Sequence, residues 1–351
     1  MGVFMKKYGI IVFLTIFLTA CAAESTETVP ITTAHSLQTA NFIEMHLLKD
    51  GKVQTNVTDL QEDYLAESIG LWLMYLVEAK ELERFTKQVN QLEKQFLLKN
   101  HLISWQITGT KQSPVSALID ELRIVEALYM AYEQWGNPAF QQLAKKMEEA
   151  IQTFEKQGDV LVDFYDTKTK AAATSLTLSY IKIPTINRMG ESKTFAILQT
   201  APTLTNGFYP LNYDVQTKQY NFPKEINLID QFYIGYHLAL AGENVSHFIA
   251  YIEQALEKEG KLFGRIDGET FLPTVTYESP SVYALAMMLS MEAEEWALAK
   301  QLYMAMVKLK VNDPQSAYYG GYIDVSTLQT HAFDNLLPLI AERRLLDAKV
   351  F

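Results

Sequence analysis

The chain contains a single cysteine, Cys21, so no disulfide can form within it. Its six histidines (His35, His46, His101, His237, His247 and His331) are scattered without ligand spacing, which leaves a zinc or iron site without support. Neither a G-x-S-x-G elbow nor a glycine-rich phosphate loop occurs, removing the serine-nucleophile and nucleotide readings. Basic charge is scarce too: 30 Lys and Arg face 41 Asp and Glu, a net charge of −11. Nucleic acids and anionic membrane surfaces both need basic patches and are poor partners for such a chain. No repeat of about 33 or 34 residues recurs, which weighs against an ordinary helical solenoid. The reagents left are carboxylates, and no metal or cofactor is expected.

The first residues have a basic stretch, Lys6 and Lys7, then an apolar run from Ile10 to Leu18. That run is too short to cross ~30 Å of hydrocarbon and reads as an export signal. Leu18, Thr19, Ala20 and Cys21 resemble the lipobox of bacterial lipoproteins. The resemblance implies cleavage before Cys21, lipid on its sulfur, and a place on the extracellular face of the cell membrane. The bland alternative is a plain secretory signal with an incidental cysteine. Residues 22–34 are small, polar and acidic, a tether with nothing to bury. Residues 35–351 contain no linker-like stretch and are expected to form one domain, acting as a monomer. With 19 Tyr, 18 Phe and 4 Trp, the chain is rich in rings that fill cores and also stack on sugars.

Helical periodicity dominates and comes in pairs. Helices are predicted near residues 35–48, 63–80, 82–98, 116–134, 138–154, 185–199, 226–241, 245–258, 279–291, 294–308 and 332–345. Short β-like pieces are predicted at 103–108, 160–165 and 178–184, with a hairpin around Gly264 and Gly268. Residues 202–223, rich in Pro, Gly, Asn and Tyr, read as a long surface excursion. Eleven or so helices in hairpins suggest an all-α fold, an α-solenoid or its closed relative, an (α/α)6 toroid or barrel with short β-hairpins in its loops.

Three carboxylates stand in apolar helical settings. Glu67 is placed inside the most apolar part of its helix, with Tyr64 and Gly70 three residues to either side. Burial there would hold it protonated, as a general acid must be; the alternative is a glutamate that fans out to solvent at a helix start or pairs with a structural Arg or Lys. Asp120 opens a helix whose next turn carries Arg123, and an i,i+3 ion pair is its modest explanation. Asp230 stands in a first helical turn, where aspartate often serves only as a cap or dipole partner.

The segment ESIGLWLMYLVEAKELERFTKQVNQLEKQFL resembles the start of glycoside hydrolase family 8, where Ser-Glu-Gly-x-Gly-Tyr precedes an aliphatic helix. ISWQI resembles the family's strand with a sugar-stacking tryptophan, here Trp105; SALIDELRIVEAL its Ser-Ala-x-Asp-x-Asp helix; and LSYIKIP its Tyr-x-x-Pro segment, here Tyr180 and Pro184. LIDQFYIGYHLA is similar to the helix supplying the general base, and HAFDNLLPLIAERR to the closing helix. The resemblance implies Glu67 as general acid, Asp230 as general base, and Asp120 as the residue that holds the distorted sugar or orients the water. Trp105, Tyr180 and Tyr277 would be stacking platforms, each with a core-packing alternative. The chain departs from the pattern at Ser68 and Leu71, at Ile119 and Glu121, and at Tyr233, where an arginine is expected beside the base. These departures bear on sugar specificity more than on chemistry.

The closer resemblance is to lipoproteins of Gram-positive bacteria encoded with exopolysaccharide synthesis machinery. The expectation is a surface-anchored, inverting, endo-acting hydrolase of a β-linked exopolysaccharide, with the polysaccharide as partner. A non-catalytic polysaccharide-binding lipoprotein using the same groove, and a helical interaction scaffold, are the other readings.

Overall fold

A computed structural model of the chain describes residues 33–58 and 62–349. The signal segment, Cys21 and nearly all of the tether lie outside the described residues, and α1 (Thr33–Phe42) already includes Thr33 and Ala34.

Twelve α-helices are present among the described residues. Six form an inner ring: α2 (Ala66–Glu78), α4 (Leu118–Trp135), α6 (Ile183–Arg188), α8 (Leu228–Leu240), α10 (Pro280–Glu292) and α12 (Phe333–Asp347). Each packs on the next, and α12 packs back on α2, closing the ring. The outer helices are α1, α3 (Leu82–Gln95), α5 (Pro138–Phe154), α7 (Ser192–Gln199), α9 (Ser246–Glu259) and α11 (Trp296–Met306). This is the (α/α)6 toroid that the helix pairs predict.

The difference between the rings is written in the residues. On α3 the buried positions are Phe85, Gln88, Val89 and Leu92, a single i, i+3, i+4, i+7 stripe. On α2 every residue from Ser68 to Val77 is buried, and on α10 every residue from Ser281 to Ser290. Helices apolar all round stay in water only if other helices enclose them, which the closed ring provides.

Because inner and outer helices alternate along the chain, the inner six run parallel and their N-termini share one end. At the opposite end Arg344 of α12 donates to Glu78 Oε1 of α2 at 2.7 Å and also to the hydroxyl of Tyr236 on α8. A second ion pair, Lys310 with Glu342, is wholly buried; Tyr322 and Thr39 donate to the same carboxylate.

Several local expectations need correction. Residues 185–199 form two short helices, because the chain turns at Gly190 with φ +76° between α6 and α7. The piece at 178–184 starts as a 3-10 turn, Leu178–Tyr180, and the strand lies just before it at Ser175–Thr177. That strand pairs with Asn212–Asp214, itself paired with Gln219–Asn221, so the long excursion carries a hairpin. Arg265–Asp267 pairs in full register with Glu225–Asn227, and the expected local hairpin is also present: the bridge from Ile266 to Pro273 is flanked by Asp267 N–H donating to Leu272 O at 2.8 Å and Thr274 N–H to Arg265 O at 3.2 Å.

Candidate active site

Glu67 is the second residue of α2, closer to the helix start than the predicted span of 63–80 places it. Residues Asp63–Leu65, predicted helical, instead pair as a strand with Gln106–Thr108, and the Ala66 N–H donates to the Trp105 carbonyl at 2.9 Å. The helix therefore begins where the strand ends. The other acids arrive by a similar route. Ahead of α4, Ser116 N–H donates to Tyr165 O at 3.0 Å and Leu118 N–H to Asp163 O at 2.9 Å, and Asp120 follows in the first turn. Ahead of α8, the strand Glu225–Asn227 leads into an Asn227 cap on the Ile229 N–H at 3.1 Å, with Asp230 next. Asp334 occupies the first turn of α12.

Four inner helices thus bring a carboxylate to the same end of the ring, where each helix dipole favours negative charge by ~0.3–1 kcal/mol. Burial holds the Tyr180 phenol above the ordinary tyrosine range, and the charges of Asp163, Asp120, Asp230 and Glu67 push it further the same way. Glu67, Asp120 and Asp230 are therefore near enough to Tyr180 to act on it by charge.

Their environments differ. Burial raises the Glu67 carboxyl, Arg123 opposes this, and Asp334 reinforces it, so a proton stays on Glu67 above the usual carboxylate range. Asp120 is only 6% exposed and burial lifts it to about 7, against the pull of Arg123, whose Nη1 donates to Oδ1 at 2.8 Å. The i,i+3 pair expected from the sequence is present. Asp230 is raised by burial but held back by Ser179 Oγ, which donates to Oδ1 at 2.8 Å, and by the positive charge of Arg265.

A cleft of about 620 Å³ opens at the start of α12, with Asp334, His331, Tyr277 and Tyr322 in its wall; Glu67, Asp120 and Asp230 are not among its lining residues. Tyr277 is 52% exposed and Trp105, next to the start of α2, is 39% exposed. Both rings are available at the surface, whereas Tyr180 sits deeper, among the carboxylates. Among the described residues no group of three His, Cys, Asp or Glu side chains is arranged to hold a metal ion, and no helix is long and apolar enough to cross a membrane.

Sequence reasoning missed Asp334, although it opens an apolar helix just as Asp230 does. It also missed a buried acid pair behind the segment that leads to Trp105. Glu121 Oε1 accepts the Ile103 N–H at 2.6 Å, Glu155 Oε1 accepts Ser116 Oγ, and burial raises both carboxyls, each of which acts on the other. The remaining oxygen of each finds no other donor, as expected if the acids share one proton. Glu155 closes an outer helix and carries no local signal of this.

No family model matches the chain. It is 38% identical over 358 residues to "Putative lipoprotein YdaJ" of Bacillus subtilis (strain 168), with 97% of each chain covered. Among solved structures it is similar to a novel alpha-amylase from Clostridium perfringens, with 26% identity, a TM-score of 0.84, and 90% of this chain and 99% of that chain covered. It is also similar to PssZ from Listeria monocytogenes, with 26% identity, a TM-score of 0.76, and coverage of 90% and 96%. Endoglucanase Cel10, a family 8 glycosyl hydrolase from Klebsiella pneumoniae, shares the fold at 13% identity and a TM-score of 0.63, with 87% and 98% covered.

Proposed function

The chain belongs to the same family as the Bacillus subtilis lipoprotein YdaJ, a branch with the glycoside hydrolase family 8 fold, and on that premise we propose that it hydrolyses a polysaccharide by inverting acid/base catalysis. The observation that supports this reading is that Glu67, Asp120 and Asp230 each stand in the first turn of an inner helix at the same end of the ring.

Glu67, whose carboxyl is held above its ordinary range by burial and by the charge of Asp334, donates its proton to the glycosidic oxygen as the bond breaks. Asp230 takes a proton from a water on the opposite face of the sugar. Its bond from Ser179 and the nearby charge of Arg265 favour the ionised form that a base requires. Asp120 stays close enough to orient that water or to hold the distorted ring. Tyr277 in the cleft wall and Trp105 beside the start of α2 give the polymer exposed aromatic faces. Lipid on Cys21 would tether the enzyme, as a monomer, to the outer face of the cell membrane. The substrate on this reading is a β-linked exopolysaccharide cut internally.

The name of the Clostridium perfringens relative favours a second substrate, an α-linked glucan. Release of reducing ends from a β-linked exopolysaccharide and from an α-glucan by wild type, Glu67→Gln and Asp230→Asn decides between them. Turnover of one polymer, lost in both variants, is expected. Equal activity in all three proteins, or polymer binding without any new reducing ends, overturns the assignment.

A further inference from the structure

We infer that Arg123 is a positioning residue that decides which of two neighbouring carboxyls, Glu67 or Asp120, carries the proton. Its side chain is 6% exposed and reaches all three helices that bear the site acids. On α4, its own helix, Nη1 donates to Asp120 Oδ1 at 2.8 Å. Toward α8 its Nη2 donates to Tyr233 Oη at 3.4 Å, one turn from Asp230. Toward α2 it packs against Gly70: a Cβ there would lie 3.3 Å from Arg123 Cδ, so the glycine leaves the room its stem occupies.

The groups around it leave this cation with a defined task. Glu67 of α2, Asp120 of α4 and Tyr233 of α8 act on it directly, each favouring its charged form against the cost of burial. Asp334 of α12 acts on Glu67, and Tyr180 lies within reach of both Glu67 and Asp120. Of the nearby bases, Lys182 faces Glu126 at 2.5 Å, and burial together with the charges of Lys182 and Arg123 holds His237 neutral. Two acids near one cation cannot both ionise cheaply in a buried site. The guanidinium donates directly to Asp120 and acts on Glu67 by charge, so it favours the ionised form of Asp120 more than that of Glu67. That is the distribution the proposed acid step needs. The tyrosine at 233 is part of the device, because it holds the far arm of an arginine supplied by another helix.

The test is carbon-13 NMR titration of Asp and Glu carboxyls in the folded full chain, with Glu67 and Asp120 assigned from Glu67→Gln and Asp120→Asn. In Arg123→Gln, which keeps a donor for Asp120 without its charge, the Asp120 midpoint is expected to rise by about 1 to 3 pH units. Arg123→Lys is expected to return most of that shift. An unchanged Asp120 midpoint in either Arg123→Gln or Arg123→Met, whichever folds, overturns the inference. The kinetic arm rests on the hydrolase reading: the acid limb of the pH–rate profile should move upward with the midpoint. A shifted titration in a protein with no wild-type turnover would sink that reading and leave the role of Arg123 intact.

Discussion

The carboxyl groups of Glu121 and Glu155 are neighbours behind the segment that leads to Trp105, one accepting the Ile103 N–H and the other Ser116 Oγ. Burial lifts Glu155 from the ordinary 4.5 to about 7, aided by Asp163 and Asp120 and opposed by its bonds to Glu121 and Ser116. A carboxyl raised by folding stabilises the fold fully below its unfolded value, and that contribution is lost as pH rises through the folded one. Wild type should therefore lose stability between about pH 4.5 and pH 7, and Glu155→Gln, which is permanently neutral, should lose less. Thermal unfolding from pH 4 to 8 checks this; parallel curves would mean that no proton is shared.

Ser179 is expected to tune Asp230. A hydrogen bond to an ionised carboxylate is worth ~1.5–3 kcal/mol, so Ser179→Ala should raise the Asp230 carboxyl and move the acid limb of the rate profile to higher pH. The fold should persist. A fall in rate that is the same at every pH would assign Ser179 to packing alone.

Lys310 and Glu342 concern stability and sit behind the cleft wall, where Tyr322 also donates to Glu342. Their side chains are 0% and 1% exposed, and Lys310→Met would leave a buried carboxylate unpaired. The expected loss is ~3–5 kcal/mol in urea unfolding, with the activity of the protein that remains folded unchanged. A loss below ~1 kcal/mol would mean that water reaches the pair.

Trp105→Ala should weaken polymer binding roughly tenfold, about 1.4 kcal/mol, through loss of a stacking face. The effect should appear in KM, with kcat on short oligosaccharides nearly unchanged. A drop in thermal stability with no change in KM would make the indole a packing residue.

Much of this molecule is readable locally, because an antiparallel helix pair writes its signals in neighbouring residues. The break between α4 and α5 shows it: Gly136 takes φ +67°, Asn137 caps Ala139 N–H, and Pro138 opens the next helix. What is set at a distance is not readable. Arg265–Asp267 finds its strand partner about forty residues earlier, and Asp63–Leu65 becomes a strand only because Gln106–Thr108 lies alongside. That second pairing places Glu67 in the first turn of its helix.

The site follows the same division. Glu67, Asp120, Asp230 and the Asp120–Arg123 pair show themselves through apolar settings and i,i+3 spacing. Ser179, Tyr233 and Glu155 acquire meaning only when the ring closes and brings their helices and loops together. The scarcity of cysteine, histidine pairs and phosphate loops narrows the chemistry to carboxylates, without saying which oxygen faces which donor.

The most direct test of the account is the configuration of the first sugar end released from the polymer, read by proton NMR before mutarotation. Glu67 and Asp230 acting from opposite faces predict the anomer opposite to that of the bond cut. Retention of configuration would contradict the assignment of these two carboxylates.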